Sequence, residues 1–261
     1  MLIPPETSFI NICGFPVYYY GIIVAVAVFA GTVISNKIAL KEYFMPNIVY
    51  NIATSIIIGG IIGARLYYCL LNFNQYFANP IEIFALREGG LSIHGAILGG
   101  LIVLVYQAKA NNINFLKLCD IFSVGLPLAQ SIGRWGNFFN MEAFGLPTNL
   151  PWGMYVKQAL RPDKYFYENY FHPTFLYESI CDFAIFLLLY LFVIKKYKNS
   201  PGITFGIYLI AYSVVRFFIE YIRIDCTKYV CSLAVPQIVS LFMFVVGLSI
   251  ILLSNIRQKN V

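Results

Sequence analysis

Residues 134–145 read Arg-Trp-Gly-Asn-Phe-Phe-Asn-Met-Glu-Ala-Phe-Gly, at the end of an apolar run. A charge at membrane depth costs a few kcal/mol or more, so a chain that keeps one there usually has a use for it. Arg134 offers a planar fork of donors that matches the oxygens of a phosphate. Asn137 and Asn140 follow at spacings of three, so a continuing helix puts them on the face of Arg134. Such a face can hold a polar headgroup; it can also simply cap the helix. Gly133 and Gly136 leave room for close approach on either side.

Four other places carry chemistry. Arg65 lies in the stretch Gly59 to Tyr68, near the outer end of the second span, where small residues suit close helix packing. It can snorkel to the interface or serve a ligand. His94 lies about one turn into an apolar run that opens at Gly90. It is either a hydrogen-bonding group between helices or a proton acceptor, since neutral imidazole takes a proton near pH 7. Glu178 and Asp182 are four apart at the start of another apolar run, so both face a bundle interior rather than lipid. Tyr212, Arg216, Glu220 and Arg223 follow at four, four and three, which stacks them on one helical face. Glu220 can pair with either arginine, as a structural pair or as an aiming device.

These residues need elements to hold them, and composition says which. The chain has 261 residues, 59% hydrophobic and 11% charged. That is too apolar for one water-facing globule. The reading is an all-α integral membrane protein, a single polytopic domain over 1–261. Seven transmembrane helices are expected, at about 17–36, 47–69, 91–107, 118–136, 176–194, 203–222 and 233–255, most near the ~20 residues a span needs. The fourth and fifth qualify only if polar residues enter the membrane. Residues 1–20 have no Lys or Arg, so the first span is expected to stay as an uncleaved anchor.

Orientation follows from the basic residues. With the N-terminus outside, nine Lys or Arg fall inside against two acids, Glu42 and Asp120. The outside then holds nine basic residues against ten acids. That satisfies the positive-inside rule and puts the C-terminus in the cytoplasm. The net charge of +6 therefore reads as topology, not nucleic-acid binding. Two longer polar excursions, about 71–90 and 140–173, lie outside, and the second can form a small external head. Function is expected to face outward, where the chain spends its extra residues. On this topology Arg65, Arg134 and Arg216 share outer-leaflet depth with His94. Cations on different helices suit an anionic ligand, and a phospholipid headgroup lives at that depth. Of the six cysteines, Cys226 and Cys231 share an outside loop and can pair, or all six can stay free thiols. No cysteine or histidine spacing fits a metal site.

The same residues carry a resemblance. The stretch 133–145 resembles the signature of the prolipoprotein diacylglyceryl transferase family. So do Tyr20-Gly21, Gly63 to Tyr68, Ser92 to Gly95, Pro147-Thr148 with Pro151 to Gly153, His172 to Glu178, and Arg216 with Glu220 and Arg223, in order from residue 20 to about 240. Ile224-Asp225 stands where the family often has Pro-Asp, and the loop 226–231 matches no family feature. The resemblance implies transfer of the diacylglyceryl group of phosphatidylglycerol to the lipobox cysteine thiol of a preprolipoprotein. A thioether and glycerol phosphate result, with no metal and no cofactor, at the bacterial plasma membrane with the site facing the outer leaflet. It implies His94, Arg134 and Arg216 as catalytic residues. Tyr20, Arg65, Asn137, Asn140, Glu142, Gly145, Glu220 and Arg223 would bind substrate. Another membrane acyltransferase and a small anion transporter are the competing classes. Transporters are often built from inverted repeats or helices broken at the midplane, and neither is evident in the sequence.

Overall fold

The computed structural model describes residues 1–5, 7–12, 15–41, 46–85, 89–224, 229–230 and 232–259. Cys13, Cys226 and Cys231 lie outside these, so the pairing of the last two does too. Six helices among the described residues are long and apolar enough to cross a membrane. They match six of the seven expected spans. The other, Ile203–Ile219, is an apolar helix of 17 residues. At 1.5 Å per residue it is about 25 Å long, a few Å short of a typical hydrocarbon core.

The chain divides into two compact units, residues 36–118 and residues 1–35 with 119–261. The longer one opens with a hairpin, β1 (Phe9–Ile12) and β2 (Phe15–Tyr18), which leads into α1 (Tyr19–Lys41). The shorter unit is built on α2 (Ile48–Leu71), a short α3 (Phe73–Ala78) and α4 (Ile93–Ala110). α2 and α4 touch through glycines: a Cβ on Gly63 would stand 2.4 Å from the carbonyl oxygen of Gly95. Only bare backbones can approach so closely, as in membrane helix pairs built on small residues.

The longer unit resumes within α5 (Phe115–Asn140). Beyond it lies the second polar excursion. It is a small packed head with two short 3₁₀ turns, Gln158–Leu160 and Asp163–Tyr165, and strands β3 (Met154–Tyr155) and β4 (Tyr170–Phe171) paired antiparallel. Its core is Met141, Ala143, Phe144, Met154, Val156, Phe171 and Phe175, all buried. Residues 1–5 join it: the amide of Leu2 donates to Gly153 O and the amide of Tyr155 donates to Leu2 O, each at 2.9 Å. Then come α6 (Thr174–Leu188), a π turn over Leu189–Val193 and α7 (Ile194–Lys196), which together make one span. α8 (Ile203–Ile219) follows. A hairpin of β5 (Tyr229–Val230) and β6 (Leu233–Ala234) leads into α9 (Val235–Lys259).

Asp120 shows how a buried acid can be purely architectural. Its carboxylate accepts the amides of Gly202 at 2.7 Å and Phe205 at 2.8 Å, so α5 caps the first turn of α8. That supplies acceptors for two of the amides a helix start leaves without partners, and places a negative charge at the positive end of its dipole.

Candidate functional site

The centre of the longer unit is a carboxylate that holds three arginines. Glu178, on α6, is 1% exposed. Its Oε2 pairs with Nη2 of Arg134 on α5. Its Oε1 takes Nη1 of Arg216, on α8, at 3.0 Å, and Nη1 of Arg223, just beyond α8, at 3.5 Å. The second arm of Arg216 reaches Oε2 of Glu220 at 2.8 Å, an i,i+4 pair, and Glu220 is itself buried. Three cations thus meet two anions among apolar helices. Burying charge is costly unless it is paired, and here each arginine is paired with a carboxylate. The arginines keep 14–20% of their side chains accessible while Glu178 keeps 2%. The carboxylate lies behind and the guanidinium groups lie in front.

Local sequence explains the meeting. Arg134 sits near the end of α5, and the chain turns sharply after Asn140. Met141 and Ala143 both adopt φ near +54°, a conformation uncommon for residues with a side chain, and Glu142 lies between them. The strained turn is bolted down. The carbonyl of Ala143 accepts the Thr174 hydroxyl at 2.5 Å and the Phe175 amide at 3.0 Å, both from the first turn of α6. The Gly145 amide donates to His172 O, and the Leu146 amide donates to Ile222 O beyond the end of α8. A Cβ on Gly145 would fall 2.8 Å from the Ile222 carbonyl oxygen, so only glycine fits here. One loop therefore ties together the ends of the three elements that carry Arg134, Glu178 and Arg216.

The expected site residues divide into groups. Arg134, Arg216, Glu220 and Arg223 come together around Glu178. Asn137, Asn140 and Glu142 form a second, exposed cluster, in which the asparagine amides donate to the Glu142 carboxylate at 3.4 and 3.5 Å. Asn140 and Glu142 also line a polar cavity of about 180 Å³ with Lys157, Pro5 and Ser8. The Tyr20 ring lies against Gly136, two residues beyond Arg134 on α5. Gly145 spends its amide on the backbone, so its part is to let the loop close.

Arg65 and His94 belong to the shorter unit. Arg65 is buried, and its donors are taken by carbonyls. Nε gives to Ile83, Nη1 to Gly89 and Gly90 at 2.8 and 2.9 Å, and Nη2 to Glu82 and Ala85. Five N–H groups meet five acceptors, which leaves none for a phosphate in this conformation. Arg65, expected as a substrate-binding residue, here gives its donors to carbonyls of the chain following α2. His94 is the second residue of α4, nearer the helix start than the one full turn expected, and it is exposed, with its ring 6.2 Å from that of Tyr67.

Glu178 is the residue that sequence reasoning underrated. It was legible as an interior-facing acid, but not as the shared partner of three arginines. Its neighbour Asp182, one turn on, is fully buried with neither oxygen hydrogen-bonded among the described residues. Near the head, the Trp152 indole donates to the Tyr177 hydroxyl at 3.0 Å, and that hydroxyl lies 3.1 Å from Nδ1 of His172.

Apolar spans carrying a buried arginine–carboxylate network define a multi-pass membrane protein. The profile of the prolipoprotein diacylglyceryl transferase family matches residues 7–253. The chain is 41% identical to the phosphatidylglycerol–prolipoprotein diacylglyceryl transferase of Gloeobacter violaceus, over 94% of this chain and 93% of that one. It is 38% identical to the protein of the same name from Prochlorococcus marinus, over 98% and 94%. The same figure holds for that of a Nostoc species, over 98% and 91%. The chain belongs to the prolipoprotein diacylglyceryl transferase family.

Proposed function

We propose that this protein transfers the diacylglyceryl group of phosphatidylglycerol to the lipobox cysteine of preprolipoproteins, the first step of lipoprotein maturation. The observation that carries the reading is the set of three arginines held on one buried glutamate. The thiol sulfur attacks the glycerol carbon that bears the phosphate. A C–S bond forms, the C–O bond to phosphate breaks, and glycerol phosphate leaves. The thiol proton ends on a base or on the departing phosphate. The nucleophile belongs to the substrate, so the enzyme needs a grip on the phosphate and a path for one proton.

Arg134 and Arg216 face the phosphate and stabilise the charge it gathers as it leaves; a preorganised contact of this kind is worth roughly 10²–10³ in rate. Glu178 and Glu220 aim these arginines, and Arg223 completes the rim. Tyr20, Asn137, Asn140 and Glu142 line the way to the headgroup. His94 is the base; a free thiol with a pKa of about 8.5 is mostly protonated at pH 7 and gains from one. The protein spans the bacterial plasma membrane seven times. Its N-terminus and head lie outside, its C-terminus is cytoplasmic, and its site opens to the outer leaflet. The bias of Lys and Arg toward one set of loops supports this orientation.

The deciding experiment incubates purified protein with headgroup-labelled phosphatidylglycerol and a lipobox peptide. The expected products are a thioether-linked peptide and labelled glycerol phosphate. An acyl ester or amide on the peptide would instead mark an acyltransferase. Transport of an anion into vesicles without any product would mark a transporter.

A further inference from the structure

Asp182 stands one turn beyond Glu178 on α6, about 6 Å further along the helix axis at 1.5 Å per residue. It is 0% exposed, and neither of its oxygens has a hydrogen-bond partner among the described residues. Donors on the same helices are spent elsewhere. The Tyr208 hydroxyl donates to Oε1 of Gln130 at 3.1 Å, and the Ser179 hydroxyl donates to Ser131 O at 2.8 Å. Asp120, the buried acid that serves the fold, is tied to two amides at 2.7 and 2.8 Å. Asp182 has no such ties, so architecture does not account for it.

What reaches Asp182 is charge. Arg134 on α5, Glu178 on its own helix and Arg216 on α8 all act on it through space. The other titratable groups in its field are the phenols of Tyr208 and Tyr212 on α8 and the neighbouring Cys181 thiol, all neutral near pH 7. Burial without hydrogen bonds disfavours a carboxylate, while the two arginines favour one. The net charge of the cluster decides between these. Arg134, Arg216 and Arg223 outnumber Glu178 and Glu220 by one, so the network carries a surplus positive charge. An ionised Asp182 cancels that surplus. So does the single negative charge of a phosphodiester held on the arginines. Both at once would leave a surplus negative charge in a low-dielectric interior, where an uncompensated charge is most expensive.

We propose that Asp182 is the proton-exchanging counter-charge of the arginine cluster: it is ionised while the site is empty and takes up one proton when the lipid phosphate docks. This rests on the reading of Arg134 and Arg216 as phosphate-holding residues. Asp182 is a positioning residue, since its full burial keeps it from the lipid and it acts through the arginines. The proton comes from solvent onto a carboxylate oxygen and returns to solvent when the site empties. Docking that takes up a proton weakens as pH rises. Over the range where the empty site has lost the proton and the occupied site still holds it, Kd for phosphatidylglycerol should rise by up to about tenfold per pH unit.

The test titrates phosphatidylglycerol in mixed micelles into the full chain by calorimetry, from pH 5.5 to 8.5. Each pH is run in two phosphate-free buffers of different ionisation heat, which gives the protons taken up per lipid bound as well as Kd. The wild type should take up close to one proton within this range, with Kd rising alongside. Asp182→Asn fixes the neutral form, so its uptake should vanish and its Kd should stay flat. At pH 8.5 it should then bind about tenfold more tightly than the wild type. A loss of folding cannot tighten binding. Asp182→Ser, which also removes the acid, is read beside it in case the amide does not fold. His172→Gln should leave the uptake unchanged. No uptake by the wild type at any pH overturns the proposal, as does uptake that survives both Asp182 variants or disappears in His172→Gln. If Arg134→Ala binds the lipid as well as the wild type, the phosphate-site reading fails and the proposal with it. Arginine-dependent binding without proton uptake removes the role of Asp182 alone.

Discussion

Nη1 of Arg216 stands 3.0 Å from Oε1 of Glu178, joining α8 to α6 across 38 positions of sequence. The same oxygen also faces Arg223, and its partner oxygen faces Arg134. One carboxylate therefore sets the position of every arginine in the cluster. It does so from behind, where it is shielded from solvent and lipid alike.

Glu178→Gln keeps the shape and removes the charge. Arg216 would keep Glu220, while Arg134 and Arg223 would lose the carboxylate charge they face. Removing one partner from a buried ion pair costs about 3–5 kcal/mol, because the other charge is left uncompensated. The expected outcome is a loss of transfer of roughly 10²-fold or more, with a lowered melting temperature. A solely architectural role would lower the melting temperature and leave kcat near normal at a temperature where the variant is folded.

Arg134→Ala and Arg216→Ala should each reduce thioether formation by roughly 10²–10³. Lysine at 134 should rescue little, since it keeps the charge but loses the planar fork. Transfer assays with labelled phosphatidylglycerol check this. Near-normal activity in Arg134→Ala would end the phosphate role. Because Arg134 and Arg216 share Glu178, the double variant should lose less than the two single losses combined.

Much of this cluster is legible in the sequence, and the reason is physical. Arg216, Glu220 and Arg223 stand out because charges at helical spacing in an apolar span need each other. Arg134 stands out because lipid makes it expensive. What sequence does not contain is the meeting of α5, α6 and α8, which is fixed by the bolted loop from Met141 to Leu146. Glu178 therefore reads as one interior acid among several. The excursion 140–173 reads as a head from its polar composition, but its strands do not show in the sequence. Its strands are two residues long, too short for any periodicity to register, and its order comes from seven buried side chains and the N-terminal segment. The partners of Arg65 are not legible because they are carbonyls, which every residue has.

Arg65→Ala should act on stability rather than on chemistry. Five hydrogen bonds from one guanidinium hold the segment between Glu82 and Gly90. Hydrogen bonds to a charged group are worth about 1.5–3 kcal/mol each in favourable cases, and they do not add in full. A loss of several °C in melting temperature is expected, with faster proteolysis of that segment. KM for phosphatidylglycerol should change little in protein that remains folded. A large rise in KM with unchanged stability would return Arg65 to the substrate-binding set.

His94 is the sharpest remaining question of chemistry. It is exposed in the first turn of α4. If it is the base, His94→Gln should lower kcat by roughly 10²–10⁴ near pH 7. The deficit should shrink toward pH 9, where a thiol with a pKa of about 8.5 ionises without help. That slope separates a base from a hydrogen-bonding strut, because a strut's loss would be the same at every pH. A pH series from 6 to 9 with saturating lipid and a lipobox peptide gives the answer. A flat deficit, or full activity throughout, would mean that the departing phosphate or solvent takes the proton.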